Sequence, residues 1–398
     1  MSALTAALRH PTLRLIFLAL LALGAHNASV YPYQSLIAIE RIGMSKPAFS
    51  LVLVLASVTA VSSSVLFGIW GDQHGQRRRI ALIAALCSFT GLSLMLVLPG
   101  VVSLILCHGI LLPVASSLYG QLFALARLAT PPEHSRDGTQ AALRSAMSIS
   151  FLAMLIFWTF AFGTQIDVMA VYVSAGMAAF GLLVLIALYW PRDGSTDWQD
   201  QPSGLNLAQA FKEIAKGTIL LRLLLLGAIS SSGILYMVLI SLVFEDSPVR
   251  DASDVALYVG MVAGWEVPCL LLLPRLAGRF RRSTLLAAGS AVYTLHLLAL
   301  PLLSDTPMIW AMTLVAGIGG TAIISLPITY YQDLMQSRPG TAGAMLALQK
   351  LVADVLGAAA FALGTSFGSY GAVAVIGTVM ALCGGFGLLW ADRNHRLP

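Results

Sequence analysis

The stretch GIWGDQHGQRRR, residues 68–79, decides the architecture. An apolar run from 49 to 70 stops at Gly71 and Asp72. Four residues then turn, three arginines follow, and a second apolar run begins at Ile80. Gly68 stands one helical turn before Asp72 and removes a side chain there, so a second helix can approach. Asp72 falls where a helix meets water, Gly75 permits a tight return, and Arg77, Arg78 and Arg79 mark a cytoplasmic face. The plain reading is a hairpin of two membrane helices anchored by arginines.

Composition widens that hairpin into a class. Of 398 residues, 58% are hydrophobic and 10% charged, against roughly 25% charged in soluble domains. Mean hydropathy is +0.84. So few charges cannot cover a soluble surface of this size, so an all-α polytopic membrane protein is expected. The net charge of +5 does not point to nucleic acid, because the basic residues fall between apolar runs and form no stripe. Cys87, Cys107, Cys269 and Cys383 lie inside apolar runs without metal-ligand spacing, as buried inert thiols would. The first apolar run resembles a secretory signal, but its removal would leave an odd number of spans.

Twelve spans are expected, at 13–37, 48–70, 79–98, 101–126, 140–163, 168–190, 216–243, 254–274, 284–304, 307–331, 342–366 and 369–390. They divide into an N-terminal six-helix bundle (1–190), a cytoplasmic linker (191–215) that carries an amphipathic segment at 207–216, and a C-terminal bundle (216–398). With the N-terminus inside, 17 of the 23 Lys and Arg fall on cytoplasmic segments, against three outside. Both termini are therefore expected in the cytoplasm. The halves echo each other at a shift of about 202 residues: Arg77 and Arg79 map onto Arg279 and Arg281, and Arg136 to Thr139 onto Arg338 to Thr341. Pro274 stands opposite Asp72, so the second copy lacks the aspartate. Two parallel six-helix repeats follow.

A charge at bilayer depth costs roughly 2.5–3.5 kcal/mol on insertion scales, so each one needs a reason. Glu266 lies mid-helix beside Gly260, Gly264 and Pro268. It is either a proton carrier whose cavity changes solvent or a glutamate locked to a neighbouring helix. Lys350 and Asp354, four apart, read first as a self-neutralised pair; the alternative pairs Lys350 with Glu266 and leaves Asp354 to titrate. Arg144 lies one turn into its helix, and Arg222 is expected to snorkel to the surface. His26, His108 and His296 read as hydrogen-bonded core histidines rather than proton carriers.

The spacing G-x-x-x-D-x-x-G-x-R-R resembles the loop between helices 2 and 3 of the major facilitator superfamily of transporters, with Gln73 where a basic residue is usual. Gln121 to Arg127, Gly264-x-Glu266-x-Pro268, Tyr331 to Met335, Arg338 and Gly340 to Ala344 are similar to segments of its bacterial sugar efflux transporters. That resemblance implies the major facilitator fold, export of sugars by exchange for protons, and a central cavity lined by helices 1, 4, 7 and 10. On those helices the candidate solute-binding residues are Asn27, Tyr31, Gln34, Tyr119, Gln121, Ser231, Tyr236, Ser325 and Gln332. They are neutral hydroxyls, phenols and amides, which suit a polyhydroxylated solute; the bland alternative is helix–helix hydrogen bonding. Two departures limit the match. Met154 to Ile156 replace the Gly-Pro pair of helix 5, and Lys350 and Asp354 stand where uncharged residues are expected.

The expectation is thus a proton-coupled exporter of a sugar-like neutral solute that works by alternating access in a bacterial plasma membrane. Glu266, Asp354, Lys350 and Arg144 are the coupling candidates. Gly68, Asp72, Gly75, Arg77, Arg78, Asp333 and Arg338 are the gating candidates, with Asp72 facing the start of helix 11. The proton gradient supplies the energy and no cofactor or metal is expected. The partners are the solute, protons and the lipid bilayer, with no nucleic acid, and the chain is expected to be a monomer. The alternatives are efflux of a drug or amphipathic metabolite and, from another class, a non-transporting receptor. An enzyme is disfavoured because no nucleophile–base–acid set appears.

Overall fold

The computed structural model describes residues 10–74, 76–130, 136–192, 217–277, 279–334 and 339–393. These form twelve helical stretches and no strand. α1 runs Pro11–Arg41, α2 Lys46–His74 and α3 Arg77–Val97. α4 passes through Val101–Leu104, Ile105–Leu111 and Leu112–Ala129. Then come α5 Arg136–Gly163, α6 Ala170–Tyr189, α7 Gly217–Glu245, α8 Ala252–Ala277, α9 Arg282–Leu303, α10 Ile309–Leu334, α11 Pro339–Ser366 and α12 Tyr370–Asp392. Among the described residues, eleven helices are long and apolar enough to cross a membrane, and α8, the one with Glu266, is the twelfth stretch. The chain is a multi-pass membrane protein, and in lipid only closed backbone hydrogen bonding of this kind is viable. The helix ends fall within four residues of the expected spans. The segment expected to be amphipathic, 207–216, lies outside the described residues.

Two helices are not uniform. α1 tightens into a 3-10 turn at Tyr31–Tyr33 around Pro32, which has no N–H to give the ladder, and then widens into a π stretch at Ile37–Arg41. α4 holds a π stretch at Ile105–Leu111, where the Leu112 N–H reaches back to Cys107 O. Pro113 follows directly, so the irregularity sits beside a ring that cannot donate to the ladder.

The contacts divide the chain into two units, Met1–Gly43 with Val58–Gly204, and Met44–Ser57 with Leu205–Pro398. The start of α2 is thus counted with the second unit, where Phe49 meets Phe361 edge-on (centroids 6.2 Å) and Lys46 Nζ lies 4.3 Å from the Tyr370 ring. Within the first unit α1 packs on α4, α5 and α6, α3 on α4 and α6, and α4 on α5. Within the second, α7 packs on α10, α11 and α12, α9 on α10 and α12, and α10 on α11. Adding six to each helix number carries every contact of the first unit onto one of the second, as repeats require, and the second unit adds others, chiefly α8 on α10 and α11 on α12.

Lipid is as apolar as leucine, so these contacts rest on close packing and interhelical hydrogen bonds rather than on burial from water. The tightest are at glycines. A Cβ on Gly24 of α1 would collide with the Met147 carbonyl and the Ser150 side chain of α5. Gly227 of α7, 203 positions on, does the same at α11, where a Cβ would lie 2.7 Å from Val352 Cβ. The first unit adds a polar clasp further along α1 and α5: Trp158 Nε1 donates to Ser29 Oγ at 3.0 Å, and Ser29 meets Ser174 of α6 at 3.2 Å.

Candidate transport site

Glu266 sits midway along α8, half-buried, in a slot made by a neighbour's missing side chains. α10 brings Gly317 against it, so that a Cβ on Gly317 would lie 2.5 Å from Trp265 Cβ and 3.3 Å from the Glu266 N. Gly264 of α8 itself has nothing within 4 Å of a Cβ, so at Glu266 the approach is allowed by Gly317 and Gly320 of α10 rather than by Gly264. A Cβ on Gly320 would lie 3.0 Å from Glu266 Oε1 and 3.4 Å from Tyr293 Cε2. Carboxylate and phenol ring thus border the same point. Thr321 beside them donates to Gly317 O at 2.7 Å. No cation among the described residues lies within ion-pair distance of Glu266.

Two other acids of the second unit's helices, Asp354 and Asp333, are held by cations. Asp354 Oδ2 accepts from Lys350 Nζ at 2.6 Å and from Ser57 Oγ at 2.7 Å. The carboxylate is buried while Lys350 is 60% exposed, so the lysine reaches outward and pins the acid. Next to Lys350 in the chain, Gln349 Nε2 donates to Ser230 Oγ at 2.7 Å. Arg282 pairs with Asp333 and donates to Thr329 O at 3.0 Å.

Arg222 corrects the sequence reading. It does not snorkel: its side chain is 4% exposed, and Nη2 lies 2.8 Å from Asp392 Oδ1. Its other protons go to Tyr330 Oη, Thr218 O and Ala391 O, while Tyr330 itself donates to Asp392 Oδ2 at 2.8 Å. A fork with five donors is satisfied here by a carboxylate, a phenol and two helix-end carbonyls, which is what allows its burial.

Of the solute-binding candidates, Tyr236 and Ser231 are buried within the second unit, Ser231 donating to Ala228 O at 2.8 Å. Such a bond to its own helix is the bland use of a membrane serine. Ser325 is half-buried, and the Gln332 side chain lies outside the described residues. In the first unit Asn27 is half-buried and its Oδ1 lies 3.1 Å from His26 Nδ1, while His26 Nε2 meets Ser88 Oγ at 3.2 Å. Gln34 is half-buried, Tyr31 is exposed, and Tyr119 packs on Phe123 with centroids 4.8 Å apart. Gln121 is buried, and its Oε1 accepts from Arg77 at 3.3 Å, which joins a solute-binding candidate to a gating one. Arg78 donates to Ala187 O at 2.8 Å. Arg144 is exposed on α5. Gly75 and Arg338 and the side chain of Asp72 lie outside the described residues, and Gly68 is described only as backbone of α2.

His26 and His108 are the hydrogen-bonded core histidines the sequence suggested; His108 Nε2 lies 2.7 Å from the Tyr172 hydroxyl. His296 departs from that reading, since neither of its ring nitrogens has a partner. Sequence reasoning also missed Trp158, Asp392 and Tyr330, whose partners lie 60 to 170 positions away. A polar cleft of about 320 Å³ opens at one end of the second unit between Lys46, Asp246, Asp305 and Tyr370, apart from Glu266. Among the described residues no group of three or more His, Cys, Asp or Glu could hold a metal.

This fold has counterparts among known proteins. A protein of Deinococcus radiodurans described as "Putative sugar efflux transporter" is 26% identical over 96% of this chain and 98% of its own length. A variant of the nucleoside transporter NupG superposes with a TM-score of 0.79 at 14% identity, covering 96% of this chain and 99% of that one. The peptide transporter POT in complex with sulfate gives 0.76 at 12% identity over 96% and 95% of the two chains. The Major Facilitator Superfamily model matches residues 15–361. The chain therefore belongs to the major facilitator superfamily, and it is a transporter rather than an enzyme.

Proposed function

We propose that this transporter exports sugars or similar neutral polyhydroxylated solutes in exchange for protons, by alternating access of two six-helix halves. The observation that carries the reading is Glu266: among the described residues it is the mid-span carboxylate that no cation holds, while Asp354, Asp333 and Asp392 are each paired. An unpaired acid inside a membrane protein marks an ion or proton path by default. Glu266 carries the proton in this scheme, and the hydroxyls, phenols and amides of α1, α4, α7 and α10 hold the solute. The similarity to the Deinococcus radiodurans protein along the whole chain supports sugar efflux as the direction and class. Residues 1–190 and 216–398 serve as the two halves, with the linker and both termini cytoplasmic, and the monomer is the working unit.

The experiment is transport in proteoliposomes with radiolabelled lactose, glucose and uridine and a cationic dye. It compares pH-gradient-driven movement with solute counterflow. Sugars should move and the dye should not; movement of the dye alone would replace the sugar reading with drug efflux. Glu266→Gln should lower the ratio of driven to counterflow rates by at least about tenfold. A ratio equal to that of the unaltered protein would make Glu266 structural.

A further inference from the structure

His296 stands in the middle of α9 with no exposed surface, and both ring nitrogens are unsatisfied. Three tyrosines of the second unit enclose it. Tyr258 stacks on the imidazole with centroids 5.9 Å apart and planes 20° apart. Tyr236 and Tyr293 present their rings edge-to-face at 4.9 and 5.2 Å. The hydroxyls of Tyr236 and Tyr258 are buried and equally without partners. Four unmet polar atoms in one cluster are costly to keep, and native interiors rarely keep them without a use. His26 and His108, at similar burial, are each satisfied, so burial alone does not account for His296.

The groups that face the cluster come from four helices. α7 gives Tyr236, α8 gives Tyr258 and Glu266, α9 gives Tyr293 one turn before His296, and α10 gives Trp310, which does not titrate. Asp392 of α12 is committed to Arg222 and Tyr330. The charge-bearing neighbours among the described residues are Glu266 and, beyond the Trp310 ring, Arg250, whose guanidinium lies 5.3 Å from that ring and faces Asp254. Glu266 Oε1 borders the Gly320 point that Tyr293 also borders, and both Tyr236 and Tyr293 lie within its electrostatic reach.

We infer that His296 and Glu266 are the two ends of one proton-holding site, joined through the Tyr236 hydroxyl, and that His296 is a second coupling residue. At rest the Tyr236 hydroxyl bonds to neither group, so the transfer belongs to a state in which the helices bring it within hydrogen-bond reach of both. There the O–H bond of the Glu266 carboxyl breaks, and its proton goes to the Tyr236 oxygen as the phenol gives its own proton to a ring nitrogen of His296. The products are a carboxylate, an intact phenol and an imidazolium, with net charge unchanged. The enclosing rings suit the imidazolium, because a cation within about 6 Å of an aromatic centroid is attracted to it. The inference rests on the proton-coupled reading above, and its first test needs no solute.

That test is nitrogen NMR of the full chain, labelled with ¹⁵N-histidine, in lipid nanodiscs, with His296→Asn used to assign the signals. The His296 signals should convert from neutral ring to imidazolium between about pH 5 and pH 8. Glu266→Gln should displace that conversion by about one pH unit or more. A ring that stays neutral throughout, or a conversion identical in Glu266→Gln, overturns the inference whatever the protein transports. The second test is lactose movement in proteoliposomes. His296→Asn should lower the ratio of gradient-driven to counterflow rates by at least about tenfold, and Tyr236→Phe, which keeps the ring, should do the same if the asparagine variant fails to fold. A ratio unchanged in both overturns the inference while leaving the proposed transport intact. If the unaltered protein moves no sugar, the functional reading fails and the NMR result alone decides this one.

Discussion

Arg222 shows how far a single residue can be read before its neighbours are known. In sequence it stands five residues past the start of an apolar helix, and a long flexible side chain there is expected to reach for the surface. What sequence withholds is that Asp392 closes on it from 170 positions away. The pair has a consequence for stability. Asp392→Asn leaves a buried guanidinium without its counter-charge and should cost about 3–5 kcal/mol, read as a lower melting temperature in detergent. The double change Arg222→Met with Asp392→Leu should recover most of that loss, because no charge is then stranded. Recovery no better than the single variant would show that the hydrogen bonds, not the charges, hold this corner. The Lys350–Asp354 contact was legible, since four residues on one helix face suffice to propose it. Ser57, which completes it, was not.

At the scale of the element, length and hydropathy sufficed to place every helix within a turn, since a bilayer fixes how long an apolar run must be. Which glycines matter was harder to see. Gly264 looked like part of a close-packing motif, yet a side chain there would meet nothing, whereas Gly24 and Gly227 abut backbone and side chain of a second helix. Gly24→Leu and Gly227→Leu should each destabilise the protein by roughly 1–3 kcal/mol through overpacking, while Gly264→Ala should change the melting temperature little. Equal effects at all three positions would refute the packing account. The first third of α2 offers another check. Ser57→Ala removes a hydrogen bond to a charged acceptor worth about 1.5–3 kcal/mol at most. Amide exchange in residues 46–57 should therefore quicken in Ser57→Ala, with residues 77–97 as the unaffected control.

For the whole molecule, the two-fold repeat was faintly legible from two loops and is plain in the packing, where each helix partnership of the first unit returns six helices later. The transport path was far less legible. A neutral solute needs only hydroxyls, phenols and amides, and membrane helices use the same groups to bind each other. Gln121 and Ser231 both have protein partners here, and no spacing in the sequence distinguishes that use from solute binding. Charge asymmetry makes a firmer statement about the molecule as a unit. In a cysteine-free background, single cysteines at Asp167 and Asp305 should react with an impermeant maleimide added outside intact cells, and one at Ser203 should react only after lysis. The reverse pattern would invert the topology.

The wide turn at Ile105–Leu111 has a consequence for sequence change. A helix that carries one residue more than regular winding needs is where a one-residue deletion does least harm to the ladder, since what remains closes as ordinary α-helix. Shortening α4 by one position there should still give a folded chain, but it would rotate the preceding turns by about 100° relative to those that follow. The His108 ring would then swing away from Tyr172, and length variation in this chain should be tolerated in the span itself before it is tolerated in the shorter loops beside it.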